Sequence, residues 1–338
     1  MSSSAPSDVS APPDQIHLSV AEARALAMSA CGRIGMLEED AALVTDHLID
    51  AGLCGYRFAS LPRILAVAGE MAQRPAPTPI TITHETPVSA MIDGGNHCGY
   101  VTSYKAAELG IKKAKEHGFA ITGACNTFLS GRNAYYLEMV ANAGLIGIHV
   151  SGAPAKVAPL GGAAPALGTN PIAFGLPTAD GPLVFDMGTS ALMWGEVQLF
   201  ARLGTPLPEG TAVDADGNPT TDAAKALDGA VLPFGGHKGF GLSLIVQALS
   251  LLTGSASARG QLQDYGFLHI IIDPGLMLPR AEFEGQVSRL VAEIKQTPRQ
   301  PGVDEIRVPS ERARRERERR LTEGLYVDRR VVEALEAL

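Results

Sequence analysis

The chain has 338 residues, enough for one large domain or two ordinary ones with a sizeable core. Hydrophobic residues make up 46% and charged residues 19%, a globular balance and not a disordered one. A net charge of −8 and a pI near 5.5 argue against a nucleic-acid partner, whose phosphates need clustered Lys and Arg.

Residues 1–15 are rich in Ser, Pro and Ala and show no charged-then-apolar leader pattern, so a disordered tail is expected there. Ser19-Val20-Ala21-Glu22 has capping-box spacing ahead of an apolar run, which predicts a helix start. Further helices are expected over Glu38–Leu53 and residues 61–71. Pro75, Pro77 and Pro79 close this helical unit, and Ile80-Thr81-Ile82-Thr83 alternates as a strand does. Next come a helix over residues 102–117 stopped by Gly118, a strand at 119–122, a helix at 134–143 stopped by Gly144, and a strand at 145–150. Val213-Asp214-Ala215-Asp216-Gly217 signals a turn. A long apolar helix is expected at 239–252, a buried strand at 267–272 and a helix at 283–294. The run from Arg312 to Arg320 is interleaved with Glu316 and Glu318, which suits a solvated helix laced with ion pairs. The class is mixed α/β.

The four cysteines (Cys31, Cys54, Cys98, Cys125) lack C-x-x-C spacing and fit free thiols in a reducing cytosol. No apolar stretch reaches membrane-spanning length. The eight histidines are scattered, so no metal site is expected. These features together predict a cytoplasmic protein with neither membrane nor nucleic-acid partner.

The stretch from Gly161 to Gly241 carries the chemistry. It holds Gly161-Gly162, Gly168-Thr169-Asn170-Pro171, Asp186-Met187-Gly188-Thr189-Ser190 and Gly235-Gly236-His237-Lys238-Gly239-Phe240-Gly241. Small residues recur where a backbone approaches something closely, and each later cluster adds a polar or charged side chain. That suits a phosphate-bearing ligand held by main-chain N–H groups and a lysine, although tight turns use the same residues. No strand runs into G-x-G-x-x-G, and P-loop, H-E-x-x-H and G-x-S-x-G motifs are missing too.

In this order, the clusters resemble the malate/L-lactate dehydrogenase family, which lacks a Rossmann domain. The resemblance runs from His17 to Asp328 and includes the loop from Asp214 to Asp222. It implies a non-Rossmann α/β fold: a helical domain from both chain ends (residues 16–78 with 310–338), and a nucleotide-binding and catalytic domain (79–309) with a mainly antiparallel sheet. It also implies an NAD(P)-dependent oxidoreductase that binds NADPH or NADH and forms a homodimer. Thr169, Asn170, Asp186, Met187, Gly188, Thr189, Ser190, His237, Lys238, Ser310 and Glu311 would contact the cofactor. Family members carry Pro-Gly-Glu where this chain has Pro309-Ser310-Glu311. Asp186 would orient the nicotinamide or the substrate, or cap the next helix. Arg63 would hold a substrate carboxylate in a pocket formed with Phe58, Ala59, Leu129 and Arg132.

Two departures bear on mechanism. The family has Ser-His where this chain has Phe58-Ala59, and a histidine where it has Leu129. Reduction of a 2-oxo acid needs a proton donor at the carbonyl oxygen, which alanine and leucine cannot be. Three readings follow. The substrate is a carboxylate-bearing cyclic imine that arrives protonated, with a 2-oxo acid as the usual family alternative. Or Tyr56, His97 or Tyr135 supplies the proton. Or the protein is a catalytically silent binding partner. Arg132 and Lys156 are candidates for a ribose phosphate, and either nucleotide remains open.

Overall fold

The structure, a computed structural model, describes residues 14–255 and 265–338, together with the backbone of 257–258 and 261–262. The chain runs β1 (Gln15–Leu18), α1 (Val20–Arg33), α2 (Glu38–Leu53), α3 (Pro62–Gln73), β2 (Thr81–Thr86), β3 (Ser89–Asp93), α4 (Gly99–His117) and β4 (Phe119–Cys125). It continues through α5 (Asn133–Asn142), β5 (Ile146–Gly152), β6 (Ile172–Leu176), β7 (Leu183–Met187), α6 (Trp194–Leu203), β8 (Ala212–Val213), α7 (Ala223–Asp228) and β9 (Ala230–Val231). Last come α8 (His237–Leu251), β10 (Ser257–Ala258), β11 (Gln261–Leu262), β12 (Gly266–Ile272), α9 (Arg280–Gln296), α10 (Glu311–Glu323), β13 (Leu325–Asp328) and α11 (Arg329–Glu336).

Two compact units result, one formed by residues up to Gln73 with Arg312–Leu338, the other by Arg74–Glu311. The expected boundaries are therefore corrected: residues 74–78 and 310–311 go with the second unit. The expected tail is corrected as well. Residues 1–13 lie outside the described residues, but Asp14 pairs with Arg329 and Gln15 opens β1. β1 pairs antiparallel with β13, so strand hydrogen bonds join the two ends of the chain.

In the first unit, the capping box at α1 is formed as its spacing predicts. The Ser19 side chain accepts from Glu22 N, and the Glu22 carboxylate accepts from Ser19 N. The Arg-rich helix α10 is ion-paired internally, Arg319 and Arg320 both reaching Glu316.

The second unit is built on a seven-stranded sheet of order β2-β3-β4-β12-β5-β6-β7. Every neighbouring pair in it is antiparallel except β3 with β4. Alternation along the strands gives two apolar faces. Leu268, Val150 and Ile172 pack with Val246 of α8. On the other face, Ile271 and Ala120 pack with Ala114 of α4 and Val140 of α5. Gly147 lets α5 sit close, since a Cβ there would lie 2.6 Å from Leu137 Cδ1. Gly118 ends α4 in the left-handed conformation, as its position after the helix predicts.

Candidate active site

The glycine clusters separate into two kinds. At Gly168 an added Cβ would meet Ala153 O at 2.4 Å, and at Gly239 it would meet Phe234 O at 2.1 Å. These glycines allow the protein to pack on itself. Gly161, Gly235 and Gly236 have positive φ and nothing within 4 Å of the Cβ position, so they border open space. All three line a cavity of about 470 Å³ together with Pro159, Leu160 and Phe234. Gly236 is also the N-cap of α8, which has no side-chain cap. His237 and Lys238 follow, both exposed, and Lys238 has no ion pair among the described residues. A cation at a helix N-terminus is unfavourable by itself, because the helix dipole is already positive there. The uncapped helix end and the glycines beside the cavity are the kind of backbone that receives an anion, and Lys238 follows two residues on from Gly236.

Asp186 lies near the end of β7, and its Oδ2 accepts the Ala134 amide at 2.8 Å. The Asn133 amide and the Arg132 charge act on it too, while burial pushes its carboxyl above the ordinary Asp value. It therefore caps α5, which packs on the same face of the sheet, and not the following helix. Helix α6 is closed by its own Glu196, which accepts Met193 N. Arg132 is buried, with an ion pair to Glu138 at 3.4 Å. Its charge also acts on Asp186, so the guanidinium expected in the substrate pocket or at a ribose phosphate already has an acidic partner within its own unit.

Other expected cofactor contacts turn inward. Asn170 is fully buried, and its Nδ2 donates to Ser243 and Gln247 of α8. Thr189 donates to Thr169 O, and Ser190 to Leu192 O. The side chains of Thr169, Asn170, Thr189 and Ser190 are all buried and hydrogen-bonded within the protein, so the contacts expected of them would come from their backbone. Met187 and Gly188 are half-buried and stay next to Asp186. Ser310 adopts a positive φ of +69°, and its hydroxyl donates to Val184 O on β7. Glu311 accepts Val308 N and pairs with Lys295.

In the first unit, Phe58 and Ala59 lie in a short 3-10 turn before α3, with Ala59 buried. Arg63 is half-buried in the first turn of α3, and its guanidinium has no ion pair among the described residues. Phe58, Ala59 and Arg63 thus belong to one unit, whereas Leu129, Arg132, Asp186 and Lys238 belong to the other.

The proton-donor candidates are engaged elsewhere. Tyr56 lies under Arg312, with the guanidinium carbon 4.9 Å from the ring centre. His97 Nε2 meets Thr78 O at 3.1 Å, and Tyr135 packs edge-on against Tyr136. Lys156 sits over the Trp194 ring at 4.5 Å. Sequence reasoning missed the stacked pair His149 and His269, whose ring centres are 3.9 Å apart in the core. No group of His, Cys, Asp and Glu among the described residues could hold a metal ion.

The malate/L-lactate dehydrogenase family model matches residues 18–336. Malate/(S)-sulfolactate dehydrogenase of Methanothermus fervidus is 35% identical over 332 residues, covering 95% of this chain and 96% of the relative. Delta(1)-pyrroline-2-carboxylate/Delta(1)-piperideine-2-carboxylate reductase of Pseudomonas putida is 40% identical over 247 residues, covering 69% and 70%. The solved malate dehydrogenase of Pyrococcus horikoshii superposes with a TM-score of 0.86 at 31% identity, covering 98% of this chain and 96% of that one. With this match running almost end to end, the chain belongs to the malate/L-lactate dehydrogenase family and is an oxidoreductase.

Proposed function

We propose that the protein is an NAD(P)H-dependent reductase that transfers hydride to a small, carboxylate-bearing cyclic imine. One observation carries this reading: alanine and leucine stand at positions 59 and 129, while the polar groups gathered at Asp186 are Arg132 and backbone amides. A ketone needs a donor for its developing oxyanion. A protonated imine does not: hydride forms the new C–H bond and the C=N electron pair moves to nitrogen, giving the amine. Asp186 is a carboxylate suited to stabilising the iminium charge. Both activities in the relatives' names, on hydroxy acids such as malate and on imine carboxylates, involve carboxylate substrates.

The recess at α8 fits the cofactor's anionic part. Lys238 and the uncapped helix end would hold phosphate, with Gly235 and Gly236 allowing close backbone approach. Bound NADPH or NADH supplies the hydride. The turn at Ser310 and Glu311, anchored on β7, together with His237, Met187 and Gly188, would complete the cofactor site.

The partner would be a second copy. Helix α8 turns Ser243, Gln247 and Ser250 inward while Leu244, Ile245, Leu251 and Leu252 are exposed. A helix with its polar side buried and its large apolar side in water needs a cover. Four free cysteines suit a reducing, cytoplasmic setting.

Calorimetric titration with NADPH and with NADH tests the reading, followed by turnover of cyclic imines and 2-oxo acids. Binding of one nucleotide and a higher kcat/KM for the imine are expected. Binding of neither nucleotide by folded protein would overturn it. In Lys238→Met a loss of affinity of about tenfold or more is expected, which corresponds to about 1.4 kcal/mol.

A further inference from the structure

His149 on β5 and His269 on β12 are register partners whose rings stack at 3.9 Å with 16° between their planes. Both are buried, and the reductase reading gives neither a task. His149 Nδ1 lies 3.0 Å from Leu268 O, which can only accept, so Nδ1 carries the proton. Nε2 is then an acceptor, and the neighbour able to donate to it is Ser151 Oγ at 3.1 Å.

A serine hydroxyl has a single proton, and the 3.4 Å contact of Ser151 Oγ with Asn133 Oδ1 competes for it. Once that proton is given to His149, the contact sets lone pair against lone pair. At the same time the Asn133 Nδ2 group is buried without a partner among the described residues. Turning the carboxamide by 180° removes the clash and gives Nδ2 a partner: Nδ2–H donates to Ser151, Ser151 to His149, and His149 to the backbone. Ser130 Oγ, 3.4 Å from the same carboxamide atom, then turns to accept, and Oδ1 takes the unpartnered position. Asn133 is the first residue of α5, and its amide together with that of Ala134 holds Asp186.

We infer that His149 is a positioning residue, which through Ser151 fixes the Asn133 carboxamide and with it the helix start that holds Asp186. The titratable groups facing His149 are His269 from β12 and Tyr136 from α5; Ser103 from α4 reaches His269 Nε2 at 2.9 Å. Asp186 is faced by Arg132, itself paired with Glu138. Only the functional consequence rests on the proposed reductase reading.

The test follows the Asp186 carboxyl by NMR of aspartate-labelled protein, with the resonance assigned through Asp186→Asn. His149→Leu and Ser151→Ala each remove a link and are expected to raise the titration midpoint by at least about half a pH unit. His149→Gln, which keeps an acceptor and a donor, is expected to stay near the parent value. Unchanged midpoints in folded His149→Leu and Ser151→Ala would overturn the inference. So would equal rises in His149→Leu and His149→Gln, which would mean general loosening. If His149→Leu does not fold, Ser151→Ala decides alone. Neither nucleotide nor substrate enters the measurement, so its outcome is independent of the reductase reading.

Discussion

The Asp186 carboxylate and the Ala134 amide meet at 2.8 Å, although 52 residues of chain separate them. The bond joins the last part of β7 to the first turn of α5, whose own N-cap residue, Arg132, gives no side-chain cap. Asp186 thus occupies the place that a local Ser or Asp would fill in an ordinary helix. Asp186→Ala is expected to destabilise the protein by about 1–2 kcal/mol, and Asp186→Asn by less because an acceptor oxygen remains. Chemical denaturation checks this, and equal stability of Asp186→Ala and the parent would refute the capping role.

Acid stability provides a second test. Burial pushes His149 down to about 3 from 6.5, and lowers His269 as well. In the unfolded chain both imidazoles take up protons as pH falls through about 6.5. In the folded protein His149 does not follow until the pH is near 3, and burial with the neighbouring His149 holds His269 well below its ordinary value. Acidification in that window therefore favours unfolding: the stability is complete above the unfolded value and is lost on the way down. His149→Gln and His269→Gln should each flatten the fall of Tm between pH 6.5 and 4 relative to the parent. A slope as steep as the parent's in both variants would show that other groups govern acid unfolding.

The exposed side of α8 makes a third prediction. If Leu244 and Ile245 sit between two copies, Leu244→Glu with Ile245→Glu should convert a dimer to a monomer in sedimentation velocity. The inward Ser243 and Gln247 bonds to Asn170 should keep the fold. A parent protein that sediments as a monomer would remove the argument.

What the sequence disclosed follows from how local the determinants are. The α1 start was legible because Ser19 and Glu22 cap each other within a single turn. The α4 stop was legible because Gly118 follows it directly. The β1–β13 pairing was not, because nothing at Gln15 encodes a partner at Asp328. The Gly235-Gly236-His237-Lys238 run was legible because it is continuous in the chain, and the structure places it at the start of α8. The burial of Arg132 was not legible, because its influence on Asp186 joins positions far apart in the chain. Each buried histidine interrupts an apolar strand, visible in Ile148-His149-Val150 and Leu268-His269-Ile270, but their stacking is set by a register between distant strands.

Leu129 joins stability to chemistry. It adopts φ +57°, between Asn126 at +52° and Gly131 at +72°. An L-side chain of this size in the left-handed region costs about 1–2 kcal/mol, a strain that asparagine or histidine bears more readily. Leu129→Asn is therefore expected to raise Tm by roughly 2 °C without adding a proton donor. Leu129→His relieves the same strain and adds an imidazole where family members have one. If the proposed substrate class is right, Leu129→His should raise kcat for a 2-oxo acid by tenfold or more, within the roughly 10²–10⁴-fold that a general acid contributes. Cyclic imine turnover should change little, because the iminium needs no donor. A gain on both substrates would mean that proton transfer limits both, and that the parent site is not specialised for a protonated imine. No gain on the oxo acid, with Tm raised as in Leu129→Asn, would place the reacting carbon away from this loop.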